Sequence, residues 1–209
     1  MTTLAYLLAD TPRVGPLVTP RSPGCTGAAW ASLLRDGYLV EVRDGYALVA
    51  GVAESAGLRA CTFAQEVTGG LVLARSWAAW VHTGGPPPRG RTCVVYRPGT
   101  SRPKARAWLD AVQAPLRPWD VTELGGVALT TPVRTAMDLA TWSTEDDARR
   151  ALLRLAAAGT DLGEAALQLD RTAGWRGSAV ARRRIDEARR AAGTQAWTTG
   201  SAAFEPVMR

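Results

Sequence analysis

At 209 residues, with 46% hydrophobic and 21% charged residues, the chain is long enough to bury a sizeable core, and its composition excludes wholesale disorder. The formal charge of +6 rests almost wholly on arginine, Lys104 being the only lysine; a basic balance attracts polyanions without saying where they bind. Cys25, Cys61 and Cys93 are too irregularly spaced for a disulfide framework or a zinc site, the apolar run 4–9 lacks the flanks of a signal peptide, and no window approaches the roughly 20 apolar residues of a membrane span. A cytoplasmic protein without membrane contact is expected.

A short helical segment over 3–9 opens the chain, and the first organised unit runs over 14–51. Within it Thr26 is placed to cap a helix over 27–36, with Trp30, Leu33 and Leu34 on one face and Gly37 as the stop. Strands over 38–42 and 46–50 flank Asp44-Gly45, a hairpin signal whose tight turn calls for positive φ at both central residues. A helix over 54–67, a turn at Gly69-Gly70, a strand over 71–74 and a helix from Ser76 follow, and the run from Gly84 to Pro88 must be a loop. Strands are predicted over 92–96, 111–116, 119–123 and 127–130, forming a compact sheet with helices on one side.

The last third is helical. Thr131 caps a helix that has Pro132 at its first position and runs to Ala140. Ser143 or Thr144 caps the next, where Ala148, Ala151, Leu152 and Leu155 form an apolar stripe ahead of Gly159. Asp161 with Glu164 opens a third helix, and a fourth covers 178–191. The fold class expected is α+β: an N-terminal winged helix-turn-helix over 1–52, a mixed α/β domain with a helical C-terminal part over 53–192, and a poorly ordered tail over 193–209.

The residue inventory argues against catalysis. A single histidine, His82, cannot support a multi-histidine metal site, no nucleophile is paired with it, and no phosphate-cradling glycine motif is present. No catalytic residue, metal or cofactor is expected, and His82, ending an apolar helix, reads as a hydrogen-bonded structural histidine.

The constellation with a mechanism is the helix over 27–36 followed by its hairpin. In a winged helix, such a helix lies in the major groove while the hairpin tip touches the backbone. Thr26, Ala28, Ser32 and Arg35 are the groove-facing candidates, Arg43 stands where a wing would offer it to phosphate, and Arg21 is a further backbone contact. Residues 1–52 are nevertheless neutral, with four arginines and four acids, and the same elements also serve as protein contacts. The basic helix near the C-terminus, with Arg182, Arg183 and Arg184, reads as a solvated face, a second nucleic-acid contact or a docking face for an acidic partner. Trp77 and Trp80 read as core, while Trp119, Trp142, Trp175 and Trp197 near element boundaries are candidate partner anchors.

Three stretches carry a family resemblance. Residues 37–46, GYLVEVRDGY, resemble the wing of the AbiEi antitoxins, a family found widely in actinobacteria; residues 73–84, LARSWAAWVHTG, are similar to its Ser-x-Ala-Ala helix; and residues 127–140, VALTTPVRTAMDLA, look like its strand leading into Thr-x-x-Arg-Thr-x-x-Asp-Leu. Order and spacing match over roughly 14–192. The resemblance implies a winged helix that binds inverted repeats in double-stranded promoter DNA and represses its own operon. It also implies a C-terminal domain that neutralises a separately encoded nucleotidyltransferase toxin. Arg134 and Asp138 fall in the third motif, either as a structural clamp or as part of neutralisation. Pro20 and Pro23 stand where relatives carry a helical stretch. Longer relatives continue into a domain resembling very-short-patch-repair endonucleases, whose carboxylate and lysine residues would lie beyond Arg209, so nuclease activity is not expected. The alternatives are a protein-interaction module of the same family that does not bind DNA, and a remnant of a nuclease-like family protein.

Overall fold

The computed structural model of the chain describes residues 16–22, 25–100, 103, 107–172 and 174–201. The predicted helix over 3–9 and residues 202–209 lie outside them. The fold is α+β, with seven helices and two sheets among the described residues.

Strand β1 (Leu17–Val18) is followed by helix α1 (Gly27–Arg35) and the hairpin β2 (Leu39–Arg43) and β3 (Tyr46–Val49), giving a three-stranded antiparallel sheet in the order β1-β3-β2. The two-residue turn differs from the expected one. Only Gly45 takes positive φ (76°), and the strain a paired αL turn would have placed on Asp44 is avoided by a register shift between Glu41 and Arg43.

Helix α2 (Ala56–Cys61) is much shorter than the 54–67 read from the sequence. Ser55 caps it by accepting from the Leu58 N–H at 3.2 Å. It stops at Thr62, whose hydroxyl donates to the Arg59 carbonyl at 2.7 Å, and the fully buried Phe63 then draws the chain into successive turns. Strands β4 (Val72–Leu73), β5 (Thr92–Tyr96), β6 (Leu109–Gln113), β7 (Val121–Leu124) and β8 (Val127–Thr130) form a mixed sheet in the order β6-β5-β4-β8-β7, with α3 (Arg75–Thr83) between β4 and β5. The strand expected over 119–123 begins later because Pro118–Asp120 forms a 3₁₀ turn, closed by the Arg117 N–H donating to Asp120 Oδ2 at 2.9 Å. On this sheet Phe63, Trp77 and Trp80 meet edge to face, with centroids 5.4–6.1 Å apart, at the centre of the larger core.

The C-terminal part is the four helices α4 (Pro132–Trp142), α5 (Glu145–Ala157), α6 (Leu162–Arg171) and α7 (Ser178–Ser201). Thr131, Thr144 and Asp161 cap the first three as their sequence positions indicate. The stripe Ala148, Ala151, Leu152 and Leu155 is buried, its last three residues in a second core shared with α4, α6 and Ile185 of α7. Helix α7 runs past the expected end at 191, because Gly193 weakens a helix by only about 1 kcal/mol and no proline follows before Ser201. Every residue of α4 from Arg134 to Ala140 is buried, since the helix lies between α3 and the other three C-terminal helices. No helix among the described residues is long and apolar enough to cross a membrane.

Candidate nucleic-acid interface

Helix α1 has two faces with different occupants. Trp30, Leu33 and Leu34 are half-buried against Val18, Leu39, Ala47 and Val49. On the other side Thr26, Ala28 and Arg35 are exposed and Ser32 partly so, which brings all four helix candidates together. The helix N-terminus is open: Thr26 accepts from the Ala29 N–H at 3.2 Å, the first turn is Gly27, Ala28 and Ala29, and no acid stands in it. Small residues at a helix N-terminus allow close approach to an anion, towards which the helix dipole is favourably oriented. The Arg35 side chain is 72% exposed, receives support from Ser32 Oγ at 2.9 Å, and meets Asp36 only at 3.4 Å. An exposed pair of that kind contributes little, so the guanidinium can leave it for a phosphate or base. Arg21 is exposed on the turn between β1 and α1, where the Ser22 N–H donates to the Thr19 carbonyl at 2.9 Å.

The three-stranded sheet is a middle layer. Alternation places Val18, Leu39, Ala47 and Val49 against α1, and Leu17, Leu48, Val42 and Tyr46 against the aromatic core of the second unit. Helix α1 is therefore backed by a sheet that is itself packed on the remainder of the protein.

Arg43 is not at the open edge of the wing, where the sequence places it for phosphate contact. The register shift after Glu41 turns it to the same side as Val42, towards the second unit. There its guanidinium lies 4.1 Å from the Phe63 ring centroid, donates to the Thr62 carbonyl at 2.8 Å and is ion-paired with Glu66. Both partners are largely buried, at 13% and 16% exposure. Asp44 occupies the exposed tip instead.

The other candidates lie on other elements, Arg134 and Asp138 on α4 and Arg182, Arg183 and Arg184 on α7. Arg134 is a buried clamp: its Nε donates to Asp138 Oδ1 at 3.0 Å, its Nη1 to Asp120 Oδ2 at 2.9 Å and to the Pro115 carbonyl at 3.0 Å, and it lies 4.7 Å from the Trp175 ring centroid. Burial pushes the Asp138 carboxyl above its ordinary value, and its Oδ2 has no hydrogen-bond partner. On α7, Arg182 is paired with Asp170 and Asp186, and Arg183 with Glu145 and Glu187. Arg184 donates to Glu145 and to the Ala140 and Ser143 carbonyls at 2.9 Å, closing the C-terminus of α4. The His82 Nε2–H donates to the Thr130 carbonyl at 2.8 Å, and burial lowers its pKa. Trp77 and Trp80 are core residues, whereas Trp119 and Trp142 are exposed. Among the described residues no cluster of three or more His, Cys, Asp or Glu side chains could hold a metal ion.

Sequence reasoning missed Glu66, Phe63 and Asp120, each of which acts through a partner 14 or more residues away. It also placed the main basic stretch on α7. The more uniform one is 67–109, which holds seven basic residues and no acid. Arg75 in this stretch pairs with Asp110, while Arg89, Arg91 and Arg97 are exposed.

These features define an α+β protein with a helix-and-hairpin unit mounted on a mixed sheet and a helical bundle. No family model and no curated protein matches the chain. Among solved structures it is similar to the RV2827C protein from Mycobacterium tuberculosis, at 18% identity and a TM-score of 0.46, over 90% of this chain and 78% of that one.

Proposed function

We propose that the chain is a cytoplasmic, non-enzymatic DNA-binding regulator of the antitoxin kind, which represses its own operon and neutralises a nucleotidyltransferase toxin. The observation that carries DNA binding is the outward face of α1. Thr26, Ala28, Ser32 and Arg35 share that face, the helix N-terminus is acid-free, and Trp30, Leu33 and Leu34 anchor the helix from behind. On α1 and the turn before it, Arg21 and Arg35 are the exposed basic side chains among the described residues. The whole +6 surplus lies in 53–192, with 20 basic against 14 acidic residues, so the second unit supplies the long-range attraction and α1 the readout. The antitoxin assignment follows the resemblance of residues 37–46, 73–84 and 127–140.

The test is binding to the DNA upstream of the gene across a salt series, beside a random duplex of equal length. Each phosphate contact contributes a slope of about −0.9 in log K against log salt. Wild type is expected to prefer its own promoter, and Arg35→Ala to weaken that preference. Equal affinity for both duplexes, unchanged by Arg35→Ala and Arg21→Ala, would refute specific repression. Co-expression with a nucleotidyltransferase encoded beside the gene tests neutralisation, since the reading requires rescue of growth.

A further inference from the structure

Arg43 and Glu66 join the hairpin to the second unit at a point that neither the fold class nor the proposed function assigns a role. The chain on either side is built for the junction. After α2, the Phe63 N–H donates to the Ala60 carbonyl and the Glu66 N–H to the Phe63 carbonyl, both at 2.9 Å, and these turns present the Thr62 carbonyl, the Phe63 ring and the Glu66 carboxylate to one guanidinium. Glu66 is held in turn by the Thr92 hydroxyl, which donates to Oε2 at 2.7 Å from the buried start of β5. On the hairpin side Arg43 lies 5.6 Å from the Tyr46 ring centroid, so the ring of its cross-strand partner shares the cation. A planar fork that stacks, pairs and donates to a carbonyl at once fixes direction as well as distance.

We infer that Arg43 and Glu66 are positioning residues for DNA binding: the second unit holds the hairpin, and through it α1, in one orientation by way of this ion pair. The inference rests on the DNA-binding reading of α1. Neither residue touches the duplex; Glu66 acts on it through Arg43, and Arg43 through the sheet that carries Leu39 and Ala47 beneath Trp30 and Leu33. Simple electrostatics and positioning predict opposite signs. Removing the Glu66 charge from a protein that binds a polyanion should tighten binding if charge alone matters. If Glu66 orients the wing, the same change weakens it.

The experiment compares full-length wild type, Glu66→Gln, Arg43→Lys and Arg35→Ala in two measurements. Binding to the promoter duplex and to a random duplex is followed across a salt series, and amide hydrogen exchange of residues 39–49 is followed without DNA. Glu66→Gln keeps an acceptor oxygen for Arg43, and its amide nitrogen can donate to the Thr92 hydroxyl, so the turn is preserved while the charge is lost. It is expected to weaken promoter binding about tenfold with the salt slope unchanged, and to speed exchange in the hairpin. Arg43→Lys, which keeps the charge and loses the stacked fork, is expected to behave likewise, whereas Arg35→Ala lowers the salt slope by about 1 and leaves hairpin exchange alone. Promoter binding by Glu66→Gln equal to or tighter than wild type overturns the inference, as does unchanged hairpin exchange. Wild-type promoter binding by Arg43→Lys overturns it too, because a phosphate contact made by charge alone survives in lysine while the stacked fork does not. A wild type with no promoter preference refutes the DNA-binding reading itself, and the exchange measurement still decides whether the pair holds the wing.

Discussion

Replacing Arg134 by alanine tests the account of the second unit's centre. The guanidinium stands between two carboxylates that are themselves buried, Asp120 and Asp138, and also serves the Pro115 carbonyl. Alanine leaves both carboxylates facing a space without a cation, and removal of one partner from a buried charge cluster costs about 3–5 kcal/mol. With a urea m-value of about 2 kcal/mol/M, the unfolding midpoint falls by roughly 1.5–2.5 M. Asp138→Asn should be far milder, within about 1 kcal/mol, because the amide oxygen still accepts from Arg134 Nε and the charge removed is one that burial already disfavours. The two also differ with pH. The native state holds the Asp138 proton more tightly than the unfolded chain, so the wild-type protein loses stability as pH rises from the ordinary carboxyl value of 3.8 through the raised folded value. Asp138→Asn flattens that part of the profile. The reasoning is refuted if Arg134→Ala shifts the midpoint by less than about half a molar, or if Asp138→Asn is as damaging as Arg134→Ala.

Three further outcomes follow from single contacts. As the only histidine, His82 gives one imidazole signal in a proton NMR titration, and its midpoint is expected below 6.5. Since the unfolded chain then binds the proton more readily, stability is lost as pH falls through 6.5 towards the folded value and is level above it; a midpoint above 6.5 would mean that the hydrogen bond to Thr130, which favours the protonated ring, outweighs burial. Gly125→Ala places a Cβ 2.4 Å from the Gly57 carbonyl and 2.6 Å from Cys61 Sγ at a φ of 54°, and is expected to cost about 2–3 kcal/mol by urea unfolding, where a neutral result would mean that the β7–β8 turn does not rest on α2. Leu152→Ala, in a fully buried position of the helical core, is expected to cost about 2–5 kcal/mol in the same assay, with near-wild-type stability counting against a tightly packed bundle.

The helical third was legible because its signals are local. An N-cap, a proline or glycine and an i, i+3, i+4, i+7 stripe lie within one element, so Thr131, Thr144 and Asp161 all cap where their positions indicate. The central sheet was legible in its two clean strands, β5 and β8, which match to the residue, and less so where a proline or a threonine diverted the chain, as at Pro118 and Thr62. On α1, both faces followed from helical periodicity. Arg43 could not be read. Its side depends on a one-residue register shift, and its partner Glu66 lies 23 residues away, so nothing in the local pattern distinguishes a wing arginine aimed at phosphate from one turned inwards.

The same difficulty explains why composition was a poor guide to the partner surface. A chain with 25 basic residues and one lysine suggests a surface rich in arginine forks, yet several of those forks are structural. Arg59 donates through Nε and Nη2 to the single Val81 carbonyl, at 3.0 and 2.8 Å, and pairs with Glu54 at 2.7 Å; Arg184 closes α4; Arg134 holds two aspartates; Arg43 holds the wing. Each uses several donors in one plane, a geometry that an ammonium group does not reproduce. Lysine at Arg59 retains the charge but not the fork that closes the C-terminus of α3, so it should loosen Val81 to Gly84 in amide exchange, while lysine at the exposed Arg149 should change nothing. If the two substitutions were equivalent, arginine would be serving this fold as charge alone, and its abundance would again point outwards to the partner.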